Sequence, residues 1–285
     1  MALTEVMQMG TLYLVGTPIG NLDDITMRAV KTLQSVDLIA AEDTRHTGKL
    51  LKHWQIETPQ LSYHDHNRHS RIPELIGLLL DGKAIALVTD AGMPGISDPG
   101  YELVKACIEV GICVVPIPGV TAGIAALTAS GLPTQRFVFE GFLPTDNQER
   151  RSRLEALAIE SRTIVLYESP HRLLETLQDL AMQLEPARPI AIARELTKLH
   201  EEFWRGDLEG AIAHYTAQAP RGEFTLVIDG ATDKQIVWTQ EQLLSELKAI
   251  MVSGVSRSQA SRQLAAISLL PRRQLYQLAL SVDLE

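Results

Sequence analysis

The chain has 285 residues, enough for about two domains, and 45% of them are hydrophobic, which excludes a disordered chain. A formal net charge of −9 excludes a uniformly basic nucleic-acid-coating protein, and two cysteines exclude a disulfide scaffold. Since we find neither a secretory signal nor an apolar run long enough for a membrane span, we expect a soluble, cytoplasmic protein.

Short apolar runs alternate with helix-like stretches through most of the chain. Strands are predicted at residues 11–15, 37–40, 84–89, 112–116, 137–142, 163–167, 189–194 and 224–228. Helices are predicted at 72–80 and 173–184, and Ser97-Asp98-Pro99 is interpreted as a helix start because a capping residue precedes proline. This alternation predicts an α/β fold with largely parallel sheets.

Two breaks divide the predicted elements into three parts. Pro116-Ile117-Pro118-Gly119 stiffens the chain between a strand and a helix, and the alternation stops near Ala231. We therefore predict an N-terminal α/β domain at 1–117, a C-terminal α/β domain at 118–231 and a helical extension at 232–285. Two short helices of that extension are expected at about 258–268 and 271–280.

Three loops rich in glycine and proline follow predicted strands: GTPIGN, DAGMPGISDPG and PGVTAG. The first is neither a Walker A loop nor a G-x-G-x-x-G turn, which disfavours phosphate cradling. Loops of this kind can bring main-chain N–H and C=O groups against a ligand, and ligands of open α/β sheets lie beyond the carboxyl ends of strands. A strained connection or tight helix packing would explain the same composition.

Eight ordered segments extend these loops: VGTPIGNLDDITMRA, AEDTR, DAGMPGISDPG, PGVTAGIAAL, FEGFLP, YESPHRL, ARELTKLHEEFWRG and RGEFTLVI. Together they resemble the ribosomal RNA small subunit methyltransferase I family, within the tetrapyrrole methylase superfamily. The resemblance implies two α/β domains with S-adenosylmethionine in the cleft between them, and a homodimer. It also implies 2′-O-methylation of a cytidine ribose in the decoding region of small-subunit (16S) ribosomal RNA, within the assembled subunit.

The same resemblance implies a set of cofactor contacts at strand ends, mostly through main-chain groups. They are Pro18, Asp90, Ala91, Gly92, Met93, Pro94, Gly95, Ile96, Ser97, Thr121, Ala122, Tyr167, Leu196 and Gly222.

A ribose hydroxyl is a poor nucleophile, so a base or a charge near its oxygen could assist attack. The strand-end candidates are Asp43, Arg45, Glu168, His171, Arg194 and Glu195. Asp43 would ordinarily be a helix cap with Arg45 in the first turn. Alignment of the hydroxyl with the methyl carbon could itself supply much of the acceleration.

Three histidines, His64, His66 and His69, lie close together in YHDHNRH. They could bind a metal, line the substrate mouth or form a solvated turn. No clear fourth ligand follows elsewhere and methyl transfer needs no Lewis acid, so we predict no metal site.

The span 251–280 contains four arginines and no acidic residue, in a chain that is acidic overall. Arg257, Arg262, Arg272 and Arg273 are therefore predicted to contact the RNA backbone. The alternative is a helical cap with exposed arginines.

Two other functions stay open: a precorrin-type tetrapyrrole methylase, and a non-catalytic ribosome-assembly factor.

Overall fold

The structure is a computed structural model that describes residues 9–231, 239–252, 254–268 and 270–282. The chain divides into two compact units at residue 231. Both β-sheets lie in the first unit, and the helices beyond residue 231 form the second. The further division at residue 117 into two α/β domains stays a prediction.

The first sheet is parallel throughout, with the order β3-β2-β4-β1-β5. Its strands are β1 (Thr11–Val15), β2 (Leu38–Ala41), β3 (Gln60–Ser62), β4 (Ile85–Val88) and β5 (Cys113–Ile117). The helices between them are α1 (Met27–Ser35), α2 (Thr44–His53), α3 (Arg68–Leu80) and α4 (Tyr101–Glu109). A separate buried apolar cluster covers each face of the sheet, which explains why its central strands are apolar on both sides.

The second sheet is mixed, with the order β6-β7-β10-β8-β9. Its strands are β6 (Phe137–Phe142), β7 (Thr163–Glu168), β8 (Pro189–Arg194), β9 (Glu202–Asp207) and β10 (Phe224–Ile228). Its helices are α5 (Ala122–Ser130), α6 (Asn147–Ala158), α7 (Leu173–Leu184) and α8 (Leu208–Ala217). Only β6 and β7 pair in parallel, so the prediction of largely parallel sheets is wrong for this half.

Two of the ten strands in the described residues were not predicted from the sequence. β3 has three half-buried residues, too few to show a pattern, and β9 reads EFWRGD, which is polar because the strand lies at the sheet edge. Four predicted strands begin and end at the predicted residues: β1, β6, β8 and β10.

The second unit contains α9 (Gln240–Val252), α10 (Arg257–Ser268) and α11 (Arg272–Leu280), packed around their own leucine-rich core. A capping box starts α9, because Thr239 and Gln242 each accept a hydrogen bond from the other's main-chain N–H. No helix in the described ranges is long and apolar enough to span a bilayer.

Candidate functional site

The loops after β1 and β4 are joined by their main chains at the carboxyl edge of the first sheet. The Thr17 N–H donates to the Gly92 carbonyl at 2.9 Å, and the Gly92 N–H donates to the Thr17 carbonyl at 3.1 Å. Gly92 has a φ of +81°, which a side chain would strain. The main-chain N–H and carbonyl of Gly92 therefore join the two loops, contrary to the expectation that they face a ligand.

A third loop, after β5, packs directly against the first. A Cβ added to Gly16 would lie 2.7 Å from the Gly119 Cα, and one added to Gly119 would lie 2.7 Å from the Gly16 Cα. Glycine is required at both positions because a Cβ on either residue would clash with the backbone of the other. The three glycine-rich loops therefore form one connected group.

A cavity of about 280 Å³ lies beside this group and extends to the carboxyl end of β7. Its lining residues are Ile19, Ala91, Gly92, Met93, Ile96, Ser97, Asp98, Thr121, Ala122, Phe142, Tyr167, Glu168, Ser169, Pro170, Glu223, Phe224 and Thr225. Both sheets contribute to it, since the loop after β4 faces residues of β7 and β10. The family resemblance implies a cofactor cleft, and this cavity is the candidate for it.

Eight of the fourteen predicted cofactor contacts line this cavity: Ala91, Gly92, Met93, Ile96, Ser97, Thr121, Ala122 and Tyr167. The other six are not in the lining: Pro18, Asp90, Pro94, Gly95, Leu196 and Gly222. Five of these six, all except Leu196, are neighbours in sequence of a lining residue, and their contact with a cofactor stays a prediction.

Sequence reasoning missed Asp98 and the β10 residues of the lining. The β10 residues escaped because an antiparallel strand brings its first residues, Phe224 and Thr225, beside the last residues of β7. Asp98 escaped because it was interpreted as a helix cap, whereas α4 begins three residues later, after Gly100.

Aromatic side chains form one wall of the cavity. Tyr167 makes edge contacts with Phe139 and Phe142, at ring-centroid distances of 5.0 and 5.7 Å. The Tyr167 hydroxyl accepts a hydrogen bond from the Gly123 N–H in the first turn of α5 at 3.1 Å. Burial raises the pKa of Tyr167, so this hydroxyl stays neutral at physiological pH.

Glu168 ends β7 and lies at the cavity with only 2% of its surface exposed. One carboxylate oxygen accepts from the Ser169 N–H at 2.7 Å, and the other accepts from the Thr176 hydroxyl at 2.6 Å. The Thr176 oxygen in turn accepts from Arg150 Nη2 at 2.9 Å, and Arg150 Nε donates to Asp179 at 2.7 Å. This buried chain of hydrogen bonds fixes the position of the Glu168 carboxylate.

Asp98 lines the same cavity in different surroundings. Burial raises its pKa to about 7, and the negative charges of Glu42 and Asp90 act in the same direction. Burial likewise raises the pKa of Glu42, which accepts a hydrogen bond from the Asp90 N–H. The carboxyl edge of the first sheet thus gathers acidic groups beside the cavity.

Asp43 and Arg45 lie outside the lining and bind each other. Asp43 caps α2 by accepting from the Arg45 N–H at 2.8 Å, and it also accepts from Arg45 Nη2 at 2.7 Å. The Arg45 guanidinium holds the pKa of Asp43 far below its usual range. The helix-cap alternative therefore describes this pair, and neither residue is placed at the cavity.

The remaining catalytic candidates, Arg194, Glu195 and His171, are also absent from the lining. Arg194 donates to the Arg221 carbonyl at 2.7 Å and pairs with Glu202 at 3.0 Å. For Glu195, burial raises the pKa, but the hydrogen bond from Lys198 and other contacts outweigh it and the net pKa is lowered. His171 is exposed in the turn before α7.

His64 and His66 lie in the loop after β3, and His69 lies in the first turn of α3. The rings of His64 and His66 contact edge to face with centroids 5.9 Å apart, and Asn67 accepts from the His64 N–H at 2.9 Å. Within the described ranges no three His, Cys, Asp or Glu side chains are grouped so that they could hold a metal ion.

Of the four C-terminal arginines, two bind other parts of the second unit. Arg257 donates to the carbonyls of Ala279 and Val282 at 3.1 and 3.4 Å and so caps the end of α11. Arg272 donates to the Ser258 hydroxyl at 2.9 Å. All four side chains, including those of Arg262 and Arg273, are at least partly open to solvent.

Comparisons with known proteins agree on the family. Residues 11–212 match the family described as Tetrapyrrole (Corrin/Porphyrin) Methylases. A Synechocystis protein called Ribosomal RNA small subunit methyltransferase I is 63% identical, with 96% of this chain and 99% of the relative covered. A Halalkalibacterium halodurans protein of the same name is 48% identical, with 94% and 93% covered.

The fold is also that of solved methyltransferases. The uroporphyrin-III C-methyltransferase of Thermus thermophilus, complexed with S-adenosylhomocysteine, is similar with a TM-score of 0.55 and 20% identity, covering 76% of this chain and 97% of that one. At this identity the likeness concerns the fold alone. The family model and the two close relatives go further: the chain belongs to the ribosomal RNA small subunit methyltransferase I family, within the tetrapyrrole methylases.

Proposed function

We propose that the chain transfers a methyl group from S-adenosylmethionine to the 2′-hydroxyl of a cytidine ribose in small-subunit ribosomal RNA. The observation that carries the proposal is the cavity at the three joined loops, lined by eight of the residues expected to contact the cofactor. The names of the close relatives support ribosomal RNA as the substrate. The decoding region, the assembled subunit as substrate and a cytoplasmic site of action belong to the same proposal.

The chemistry of the lining fits this cofactor. Tyr167, Phe142 and Ile19 offer apolar and aromatic surface for a heteroaromatic base, and Ser97, Thr121 and Thr225 offer hydroxyls for its polar groups. The buried Glu168 carboxylate suits a cation without requiring a salt bridge. When bound, S-adenosylmethionine supplies an electrophilic methyl group on a positively charged sulfur.

The residues of the chain would then act by positioning. The Tyr167 hydroxyl is held by the Gly123 N–H, and Glu168 is held by Ser169 and Thr176, so these groups need not reorganise when the reactants bind. Glu168 would contribute a negative charge at the cavity. Alignment of the ribose oxygen with the methyl carbon would supply a large share of the acceleration.

RNA contact is proposed for the second unit. Arg257 is committed to the end of α11, so the phosphate contacts fall to Arg262, Arg272 and Arg273, which we call the tail arginines. Three cations without a nearby acid in sequence suffice for a local footprint on the RNA backbone.

A homodimer is proposed through the edge strand β6 and α5. Phe137 and Phe139 of β6 are 37% and 38% exposed, and Ile124 of α5 is 47% exposed. Phe137 and Phe139 lie on the edge strand and Ile124 on α5, and exposed large apolar side chains of this kind indicate an interaction surface. Sedimentation equilibrium of the wild type and of a Phe137→Ser variant would test this, with a monomer expected for the variant.

The test of the proposed function is mass spectrometry of ribosomal RNA from cells that lack the protein. We expect one ribose methyl to be missing from a small-subunit cytidine and to return when the wild-type chain is supplied. An unchanged set of ribose methyls would contradict the proposal. A changed tetrapyrrole profile with intact RNA would instead favour the precorrin-type activity.

A further inference from the structure

Three carboxylates line the cavity: Asp98, Glu168 and Glu223. Glu223 is largely exposed and pairs with Lys198 at 2.9 Å, whereas the surroundings of Asp98 and Glu168 differ sharply. The hydrogen-bond donors around Glu168 and the charges around Asp98 distinguish the chemical roles of the two groups.

Glu168 is held by two hydrogen-bond donors. Ser169 donates to one oxygen, and Thr176 must donate its only proton to the other because Arg150, on its far side, can only donate. Arg172 adds a positive charge at 4.0 Å. Both oxygens therefore already accept a hydrogen bond from the protein, which suits Glu168 to a fixed, positioning role.

Asp98 is surrounded by negative charge. Glu42 follows β2, Asp90 follows β4 and Asp65 lies in the loop after β3, and all three act on Asp98. No lysine, arginine or histidine in the described part of the chain forms an ion pair with it. The positive groups nearby are engaged elsewhere: Arg68 pairs with Asp65 and Glu102, and Arg45 pairs with Asp43.

Three more polar groups lie around it. A contact with the Thr89 hydroxyl acts in the opposite direction and lowers the pKa of Asp98. The Tyr167 hydroxyl is bound to Gly123, and His64 acts on Glu42. Burial and like charges raise the pKa of Asp98 to about 7, which is the range that suits a general base at neutral pH.

We propose that Asp98 is the general base of the methyl transfer, a role that rests on the proposed function. Its carboxylate takes the proton from the ribose 2′-hydroxyl as the oxygen forms a bond to the methyl carbon. The bond between that carbon and sulfur breaks, and its electron pair stays on sulfur. The products are the ribose methyl ether, S-adenosylhomocysteine and protonated Asp98, which then releases its proton to solvent.

The first test is Asp98→Asn, which keeps the shape of the side chain. Single-turnover transfer of a labelled methyl group to small ribosomal subunits should slow by about 10²- to 10⁴-fold. S-adenosylmethionine affinity, measured by titration calorimetry, should stay within about threefold of the wild type, or roughly 0.7 kcal/mol. The matched control is Asp81→Asn, in the exposed turn after α3, which should transfer at the wild-type rate.

The second test is the pH profile of Glu42→Gln, which removes one of the neighbouring negative charges. The wild-type rate should rise with pH to a plateau with a midpoint near 7, and the variant's midpoint should move down by roughly one unit. This result does not depend on how well the Asp98 variant folds.

Three outcomes would overturn the role of Asp98: a loss of less than about tenfold in Asp98→Asn, a matching loss of cofactor affinity, or an unmoved midpoint in Glu42→Gln. A wild-type chain that binds the cofactor and transfers no methyl group to ribose would contradict the proposed function itself. The two failures are therefore distinguishable.

Discussion

Thr176→Val removes a hydroxyl from the buried chain that holds Glu168 while keeping the shape of the side chain. The hydroxyl donates to Glu168 at 2.6 Å and accepts from Arg150 at 2.9 Å, and Thr176 is almost fully buried. Valine can do neither. Glu168 would keep only the Ser169 N–H, and Arg150 would keep only Asp179.

Both lost hydrogen bonds involve a charged partner, and such bonds contribute about 1.5–3 kcal/mol each. We expect the free energy of unfolding to fall by about 3–5 kcal/mol, because both charged groups are almost fully buried. Thr176→Ser keeps the hydroxyl and removes one methyl group, so its loss should be about 1 kcal/mol.

The assay is urea unfolding followed by circular dichroism, with the two variants and the wild type compared at one pH. A loss of similar size in the valine and serine variants would refute the reasoning, since it would assign the effect to packing and show that the hydrogen-bond chain contributes nothing.

Three further predictions follow from single features of the structure. Gly16→Ala should lower the free energy of unfolding by about 1–3 kcal/mol because its Cβ meets the Gly119 backbone, whereas Gly77→Ala, in open space on α3, should raise it by about 1 kcal/mol. The folded state raises the pKa of Asp98 to about 7 from 3.8, so Asp98 costs stability as pH rises through that window. Asp98→Asn should thus be more stable than the wild type at about pH 8, by on the order of 1 kcal/mol, and equal to it near pH 4. Changing the tail arginines to glutamine should reduce the slope of log RNA affinity against log salt by about two and leave cofactor affinity unchanged. An unchanged slope would show that these arginines do not contact RNA phosphates.

Local patterns predicted most of the first sheet, whereas the candidate cofactor contacts came from the family resemblance. β1 and β4 are apolar runs that end in glycine-rich loops, and the second of these loops placed Ala91 to Ser97 at a strand end. The direction of β10 could not be predicted, because strand alternation does not reveal whether a connection crosses over or returns. That direction is what brings Thr225 to the cavity.

Tertiary pairing also decided the roles of individual groups. The sequence shows Gly92 in a loop, but not that Thr17 occupies its N–H and carbonyl. It shows Asp98 before a proline, but not that Glu42 and Asp90 lie beside it, since those residues follow two different strands. Local sequence patterns cannot predict properties that depend on several strand ends meeting at one edge of a sheet.

The central claim is that the cavity at the three joined loops binds S-adenosylmethionine. Ala122 lies in its lining at the start of α5, and Ala129 is exposed near the end of the same helix. Ala129→Leu is therefore a matched control for Ala122→Leu. Calorimetric titration should show one cofactor per chain for the wild type and for Ala129→Leu, and at least about a tenfold weaker affinity, roughly 1.4 kcal/mol, for Ala122→Leu. Undiminished affinity in a folded Ala122→Leu chain would contradict the account.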